Sequence, residues 1–332
     1  MTVAYVRLQG WKNPEGDDFF ARQRATAAAP GRKRAENFYK MTQNIGEELQ
    51  ASSEAFTVPE LRQGHPRVLD IGTAPGGFLY TAMRCNPQAS AVAYSLPVKD
   101  GGYEVLFPGT PNVEIKYMDV TMLAEDMGVG EIPADHPDCA NFLPKEFSED
   151  SVFDVVVCGA GALRTHNRAA YREHRESIRL TATQLVLGLE HVIPGGTMVV
   201  LLHKPERMST AEILHLFSHF STVMLFKPVQ SHATRSSFYM VASNIQSKHP
   251  RAIEAVEGWK RAWKVATFGS DEDRAMEAQR ESSTVIQLLD VFGPDLIGMA
   301  RNIWKIQARA LRKASYIAGP SRIARSSLKD RW

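Results

Sequence analysis

The residue pattern with the clearest chemical content is Val68-Leu69-Asp70-Ile71-Gly72-Thr73-Ala74-Pro75-Gly76-Gly77-Phe78. An apolar strand runs into glycines and a helix follows, which is the context that makes a glycine-rich string informative. Gly72 allows a sharp turn, Pro75 suits the start of a helix, and Gly76 and Gly77 let a ligand come close to the backbone. The free N–H groups of the helix N-terminus would favour an anionic group such as a carboxylate or phosphate. No Gly-Lys-Ser/Thr follows, so this is not a P-loop, and the spacing also misses G-x-G-x-x-G. A second candidate is Lys204, which ends the apolar run Leu201-Leu202-His203 where a charge seldom stands without a partner.

The elements that position these residues alternate in type. Arg67–Ile71, Ala91–Ser95, Val113–Tyr117, Phe153–Cys158, Thr197–His203, Thr222–Phe226 and Phe238–Ala242 read as strands, most of them apolar throughout, as strands buried on both faces are. Phe78–Cys85, Ala169–Val192 and Thr210–Phe220 read as intervening helices, and Phe38, Tyr39, Met41, Ile45 and Leu49 predict an amphipathic helix over Ala35–Gln50 that also carries Lys40. This alternation predicts an α/β fold with a parallel, doubly wound sheet whose ligands bind at the carboxyl ends of the strands. Gly128–Asp150, rich in Pro, Asp and Glu, reads as a surface insertion. Residues 1–34, with a Gly/Pro/Ala stretch at Ala25–Gly31, read as an N-terminal arm. Residues 35–245 then form the main domain. Residues 246–332 form a basic helical extension built from Ala252–Phe268, Asp271–Val291 and Leu296–Ala314.

Composition narrows the class. The 332 residues are 44% hydrophobic and 23% charged, as soluble globular chains are, which excludes a disordered or fibrous protein. Cys85, Cys139 and Cys158 are odd in number and widely spaced, which argues against a disulfide framework and against a zinc module. No stretch is long and apolar enough for a membrane span, and Met1–Gly10 lacks the features of a secretory signal. The expectation is an intracellular protein of the cytoplasm or nucleus. A net charge of +2 is too small to imply a polyanionic partner by itself. The basic residues cluster at the C-terminal end, where Arg301, Lys305, Arg309, Arg312, Lys313, Arg322, Arg325, Lys329 and Arg331 face only Asp330. In the predicted tail helix they interleave with Ile303, Trp304, Ile306, Leu311 and Ile317, a pattern that serves docking on the domain, phosphate contact with RNA, or a membrane surface or partner. Trp259 and Trp263, four apart beside Lys260, Arg261 and Lys264, could stack bases, although such a pair more often belongs to a core.

The glycine-rich string resembles the S-adenosylmethionine motif of the FtsJ-like methyltransferases, RNA ribose 2′-O-methyltransferases whose hallmark is D-x-G-x-A-P-G-G-[FW]. The resemblance continues in order from Arg34 to Asn244. Arg34-Ala35-Glu36-Asn37-Phe38-Tyr39-Lys40-Met41 resembles the helix of the family's first catalytic lysine, and Tyr117-Met118-Asp119-Val120 the strand end with an acid near the adenine. Phe153–Val157 resembles the fourth strand, Leu201-Leu202-His203-Lys204 the fifth with its lysine, and Arg235–Ala242 the last. The resemblance implies a seven-stranded Rossmann-like methyltransferase fold and S-adenosylmethionine as donor. Asp70, Gly72, Ala74, Pro75, Gly76, Gly77, Phe78 and Asp119 would be its binding positions, with Lys40 and Lys204 catalytic.

The family's chemistry rests on a Lys-Asp-Lys-Glu tetrad, suited to a ribose hydroxyl that is a poor nucleophile until its proton is taken. Here the two acids are replaced by Gly159 and Ser237. At the end of the second strand, where an acid often meets ribose hydroxyls, the chain has Tyr94-Ser95-Leu96. His166, His203 and Glu206 are the substitute groups nearest the expected site, although isolated residues of these types are most often surface groups. Three functions fit: methylation of RNA at a ribose 2′-hydroxyl, O-methylation of a small molecule in a pocket closed by Gly128–Asp150 or the tail, or binding of the cofactor or RNA without catalysis.

Overall fold

A computed structural model describes residues 3–11, 13–18, 21, 32–59, 64–281 and 285–318. Seven strands form one sheet: β1 (Arg67–Ile71), β2 (Ser90–Ser95), β3 (Val113–Tyr117), β4 (Phe153–Cys158), β5 (Val192–His203), β6 (Thr222–Phe226) and β7 (Ser237–Ser243). Their spatial order is β3-β2-β1-β4-β5-β7-β6. The order reverses at β1, with β2 on one side and β4 on the other, both parallel to it. Such a switch point opens a crevice beyond the strands' carboxyl ends.

The sheet is not wholly parallel. β7 runs antiparallel to both β5 and β6. No helix separates β6 from β7, and a direct connection can join only antiparallel neighbours, whereas a parallel pair needs a crossover. β5 begins at Val192, earlier than the apolar pattern predicts, because the Pro194-Gly195-Gly196 stretch stays in the ladder through a register irregularity opposite β4.

Among the described residues the helices with defined bounds are α1 (Val3–Trp11), α2 (Arg32–Ser53), α3 (Gly77–Cys85), α4 (Glu176–His191), α5 (Met208–Ser218), α6 (Pro250–Phe268), α7 (Asp271–Glu281), α8 (Val285–Lys313) and α9 (Ser315–Ala318). No described helix is long and apolar enough to cross a membrane. α4 starts at Glu176 rather than Ala169, since the preceding residues turn so that Arg172 folds back on Glu176. α8 crosses the expected break at Gly293-Pro294. Leu288, Phe292, Leu296, Ala300, Ile303, Gln307 and Leu311 keep one buried stripe at spacings of three and four, and that burial outweighs the hydrogen bond lost to proline. The N-terminal segment is not simply an arm, because α1 is helical and buries Val6 against Leu311 and Tyr316. Ala25–Gly31, and Arg322, Arg325, Lys329, Asp330 and Arg331 of the basic tail, lie outside the described residues.

The tail helices join the main core. Ala252, Val256, Trp263, Phe292, Leu296 and Ile303 belong to the same apolar cluster as Leu69, Val156, Leu185 and Val200. The basic residues Arg301, Lys305, Arg309, Arg312 and Lys313 stay on the solvent side of α8, so its apolar face serves docking. Trp263 is fully buried, packs edge-on to Phe142 and Phe268, and donates Nε1–H to the Thr121 carbonyl at 3.1 Å. Trp259 stacks on Phe217. The tryptophan pair is therefore packing rather than a base-stacking platform. Gly128–Asp150 carries no helix or strand, but it is anchored inside: Phe147 is buried in the core, Glu146 accepts from the Tyr94 hydroxyl at 2.9 Å, and Asp126 receives the Glu146 and Phe147 amides.

Because Trp263 joins α6 to the loop after β3, Trp263→Ala is expected to cost about 3–5 kcal/mol of stability. Denaturant unfolding of the full chain should show that loss within one cooperative transition. A second, early transition confined to the helices would contradict a shared core.

Candidate active site

The carboxyl ends of β1, β2, β3 and β4 open into a cavity of about 830 Å³, counting space open to solvent. Gly72 and Ala74 of the glycine-rich turn, Ser95 and Leu96 after β2, Met118 and Asp119 after β3, and Gly159 to Leu163 after β4 all face it. Phe38 of α2 and Tyr103 stand edge to face at 5.6 Å on one wall. Two loops are clasped over the site: the Thr165 hydroxyl donates to the Gly101 carbonyl at 2.7 Å, and the Asn167 amide donates to Asp100 at 3.0 Å. Gly101 admits no side chain there, since a Cβ would lie 1.8 Å from the Thr165 oxygen.

The glycine-rich turn works through close approach. Gly72 adopts φ +85°, and a Cβ on it would fall 2.4 Å from that of Ala160 in the loop after β4. Ala160 is fixed in turn by Gln184 of α4, whose amide accepts from the Ala160 N–H at 2.8 Å and donates to its carbonyl at 3.1 Å. Pro75, Gly76, Gly77 and Phe78 do not line the cavity. Gly77 instead lets α3 meet α2, where a Cβ would stand 2.2 Å from Thr42 Oγ1, while Gly76 passes Phe107 at φ +108°. Phe78 packs on Phe56 and Tyr239. Here the motif's glycines serve helix packing as much as ligand approach.

Asp70 is 1% exposed and lies beneath the turn rather than on the lining. Neither of its carboxylate oxygens has a hydrogen-bond partner, and neither does Thr73 Oγ1. Burial pushes the Asp70 carboxyl up to about 7, against a smaller downward pull from Thr73. Its negative field helps burial raise the Cys158 thiol.

The opposite wall carries a charge cluster that motif spacing does not reveal. Asp119 Oδ1 accepts from the Thr121 amide at 3.1 Å and its hydroxyl at 2.8 Å. Oδ2 accepts from Arg172 Nη2 at 2.5 Å and lies 3.3 Å from His166 Nε2. Arg172 also donates to both Glu176 oxygens at 2.9 Å. Burial alone would raise the Asp119 carboxyl, but the His166 and Arg172 contacts override it and hold it far below the usual carboxylate range. Asp119, His166 and Glu176 lie close enough together to reach a single cation. The Arg172 guanidinium already holds both carboxylates, so the donor set does not favour a metal. His166, on the loop after β4, is thus a cavity residue at the Asp119 end.

The two lysines lie off this lining. Lys40 is exposed on α2, two residues past Phe38. Lys204 is half-buried at the end of β5 with φ +50°, and it neighbours Ser237, the β7 residue paired with His203. Gly159 does line the cavity, and a Cβ there would meet nothing closer than 3.9 Å. Glu206 is engaged elsewhere, by Trp304 and Arg7. Arg172 and Glu176 went unnoticed in the sequence because an i,i+4 Arg–Glu pair reads as an exposed helix face; only the fold buries it.

The residues fit S-adenosylmethionine. Gly72 and Ala74 let an amino-acid ligand reach the backbone of the turn, above the buried Asp70 carboxyl. Ser95 suits a ribose hydroxyl, and Asp119 stands on the same wall with its oxygens already held by Thr121, Arg172 and His166.

Asp70 gives a pH signature. Its folded pKa lies above the unfolded value, so the cofactor-free native state loses stability as pH rises from about 4 to about 7 and is level above that. Asp70→Asn removes this contribution. The stability of Asp70→Asn relative to wild type, read by thermal unfolding without cofactor, should fall as pH falls from 8 towards 4, because only the wild type regains stability as its carboxyl is protonated. A difference that is flat with pH would contradict the burial of an unpaired carboxyl.

The sequence profile of the FtsJ-like methyltransferases matches residues 47–245. No curated protein sequence matches the chain. Among solved structures, human methyltransferase-like protein 13 in complex with SAH is similar with a TM-score of 0.36 and 12% identity, over 66% of this chain and 92% of that one. An O-methyltransferase family protein from Burkholderia thailandensis gives 0.34 and 13% over 73% and 70%, and an rRNA methylase from Streptococcus thermophilus 0.34 and 12% over 60% and 96%. The profile match spans more than half of the sequence and contains the whole sheet with its switch-point cavity, so the chain belongs to the FtsJ-like methyltransferase family, whose methyl donor is S-adenosylmethionine.

Proposed function

We propose that the chain methylates an oxygen, with an RNA ribose 2′-hydroxyl as acceptor. The supporting observation is a cationic rim around Lys204. His203, Arg207 and Arg235 are exposed beside it, and among the described residues no salt bridge joins Arg207 or Arg235 to a carboxylate. Beneath them Lys227 is 2% exposed and donates to the carbonyls of His232 at 2.8 Å and of Arg235 and Ser237 at 2.6 Å. Burial and then the crowding of positive charge push Lys227 down to about 7 and His232 to about 4, and lower His203 as well. The exposed guanidiniums of Arg207 and Arg235 supply the positive charge that lowers these neighbours, and such charge matches a chain of phosphates, each contact releasing counterions.

The division of labour follows from position. S-adenosylmethionine, when bound, supplies an electrophilic methyl group. Gly72 and Ala74 form the floor, Asp70 and Asp119 the charged ends, and Pro75, Gly76, Gly77 and Phe78 keep the turn and α3 in place. Lys204 orients the acceptor hydroxyl and takes its proton, with Lys40 adding positive charge, and much of the rate comes from holding the acceptor in line. In this reading residues 35–245 are the catalytic unit, 1–34 precede it, and 246–332 are an extension that docks on it. Among the described residues, none of Gly128–Asp150 and none beyond 245 lines the cavity.

The test is transfer of radiolabelled methyl from S-adenosylmethionine into a host-cell extract, fractionated into RNA, protein and small molecules, with Lys204→Ala as control. Label in RNA that falls at least about 100-fold in Lys204→Ala is expected for loss of a proton-handling group. Label among small molecules moves the acceptor, and intact cofactor binding without label in any fraction favours a binding protein. The open space at position 159 adds a second arm: Gly159→Asp with Ser237→Glu should raise RNA labelling, and a folded, cofactor-binding double variant without that gain counts against the proposed acceptor site.

A further inference from the structure

Both ends of the described chain converge on the turn that carries Lys204. Arg7 of α1 forms an ion pair with Glu206 Oε1, and its other terminal nitrogen donates to Gln307 Oε1 of α8 at 2.6 Å. Trp304 of α8 donates its indole N–H to Glu206 Oε2 at 2.9 Å. Gln307 continues the chain of bonds, donating to the Thr234 carbonyl at 3.1 Å in the loop before β7. Each oxygen of Glu206 is therefore held by a different terminal helix. Glu206 stands two residues past Lys204, whose left-handed backbone (φ +50°) is bounded by two bonds: its own amide donates to Ser236 at 3.0 Å, and its carbonyl accepts from the Arg207 amide at 2.9 Å. Non-glycine residues rarely occupy that region, and they persist there when surrounding contacts over-determine them.

α1 and α8 both lie outside the span 47–245 that matches the family. The packing of α1 on α8 and α9 through Val6, Leu311 and Tyr316 forms an apolar cluster separate from the core beneath the sheet. Burial alone would raise the Glu206 carboxyl, but the Trp304 bond and the Arg7 guanidinium hold it below the usual carboxylate range, so it stays an anion able to keep both donors.

We propose that Glu206, clamped between Arg7 and Trp304, is a positioning residue that fixes the Lys204 turn, so that the two terminal helices set the geometry of the acceptor side without touching the cofactor cavity. This rests on the assignment of Lys204 to the acceptor step. It predicts that loosening the clamp changes turnover and leaves cofactor affinity alone.

The test uses the full-length protein with Trp304→Phe, which keeps an aromatic ring and removes the donor, and Arg7→Met, which keeps a long side chain and removes the charge. Hydrogen exchange of the peptide over residues 201–210 should accelerate about tenfold in each, the loss expected for a hydrogen bond to a charged group. Peptides from the cavity loops at residues 94–103 and 159–168 should be unchanged, and calorimetry should give an unchanged Kd for S-adenosylmethionine. The kcat for methyl transfer should fall with Trp304→Phe, and that fall should vanish in a Lys204→Ala background. Wild-type exchange over residues 201–210 in both variants overturns the proposal whatever the acceptor is. Accelerated exchange with full transfer by Lys204→Ala instead shows the clamp to be real and the assignment of Lys204 to be wrong.

Discussion

The buried pairing of Asp119 with Arg172 is the constraint on which the architecture of the site depends. Three carboxylates, Asp119, Asp138 and Glu176, and two guanidiniums, Arg172 and Arg179, share a space beside the sheet, with His166 against Asp119 and Glu176. Buried charges are tolerated only when paired and hydrogen-bonded, and here the requirement ties distant segments together. Asp119 ends β3, Arg172 lies between β4 and α4, and Arg179 Nη2 donates to the same Thr121 carbonyl, at 2.8 Å, that receives the Trp263 indole. The edge strand, the loop over the cavity and the first tail helix thus meet at one backbone carbonyl and one carboxylate. Such clusters contribute little net stability compared with apolar packing, but they permit only one arrangement, and a cofactor cavity needs that selectivity.

Two electrostatic environments result. On the cavity side the carboxylates are paired with guanidiniums and held by hydroxyl and amide donors, with Asp70 buried beneath the floor. The side at β5 and β7 is cationic, and the buried Lys227 binds the hairpin loop together through three carbonyls.

The loss of the two tetrad acids looks different in this setting. Position 159 is an open gap on the cavity wall, and Ser237 sits buried at the base of the cationic rim. Glu206, two residues past Lys204, is held instead by Trp304 of α8 and Arg7 of α1.

The sheet could be read from local pattern, because strands such as Phe153–Cys158 are buried at every residue and so are apolar at every residue but Asp154. The turn at Gly72 and the position of Asp119 at a strand end could be read for the same reason: each is specified by neighbours in sequence. The antiparallel placement of β7, the passage of α8 through Pro294, the saturation of Asp119 and the clamp on Glu206 could not be read that way. Each is decided by residues tens to hundreds of positions away, such as Arg172 for Asp119 and Trp304 for Glu206, and local sequence carries no record of which charges the fold will bury together. The sequence by itself determined the family and the glycine-rich turn; tertiary structure alone decided which side chains line the cavity and which residues hold Asp119 and Glu206.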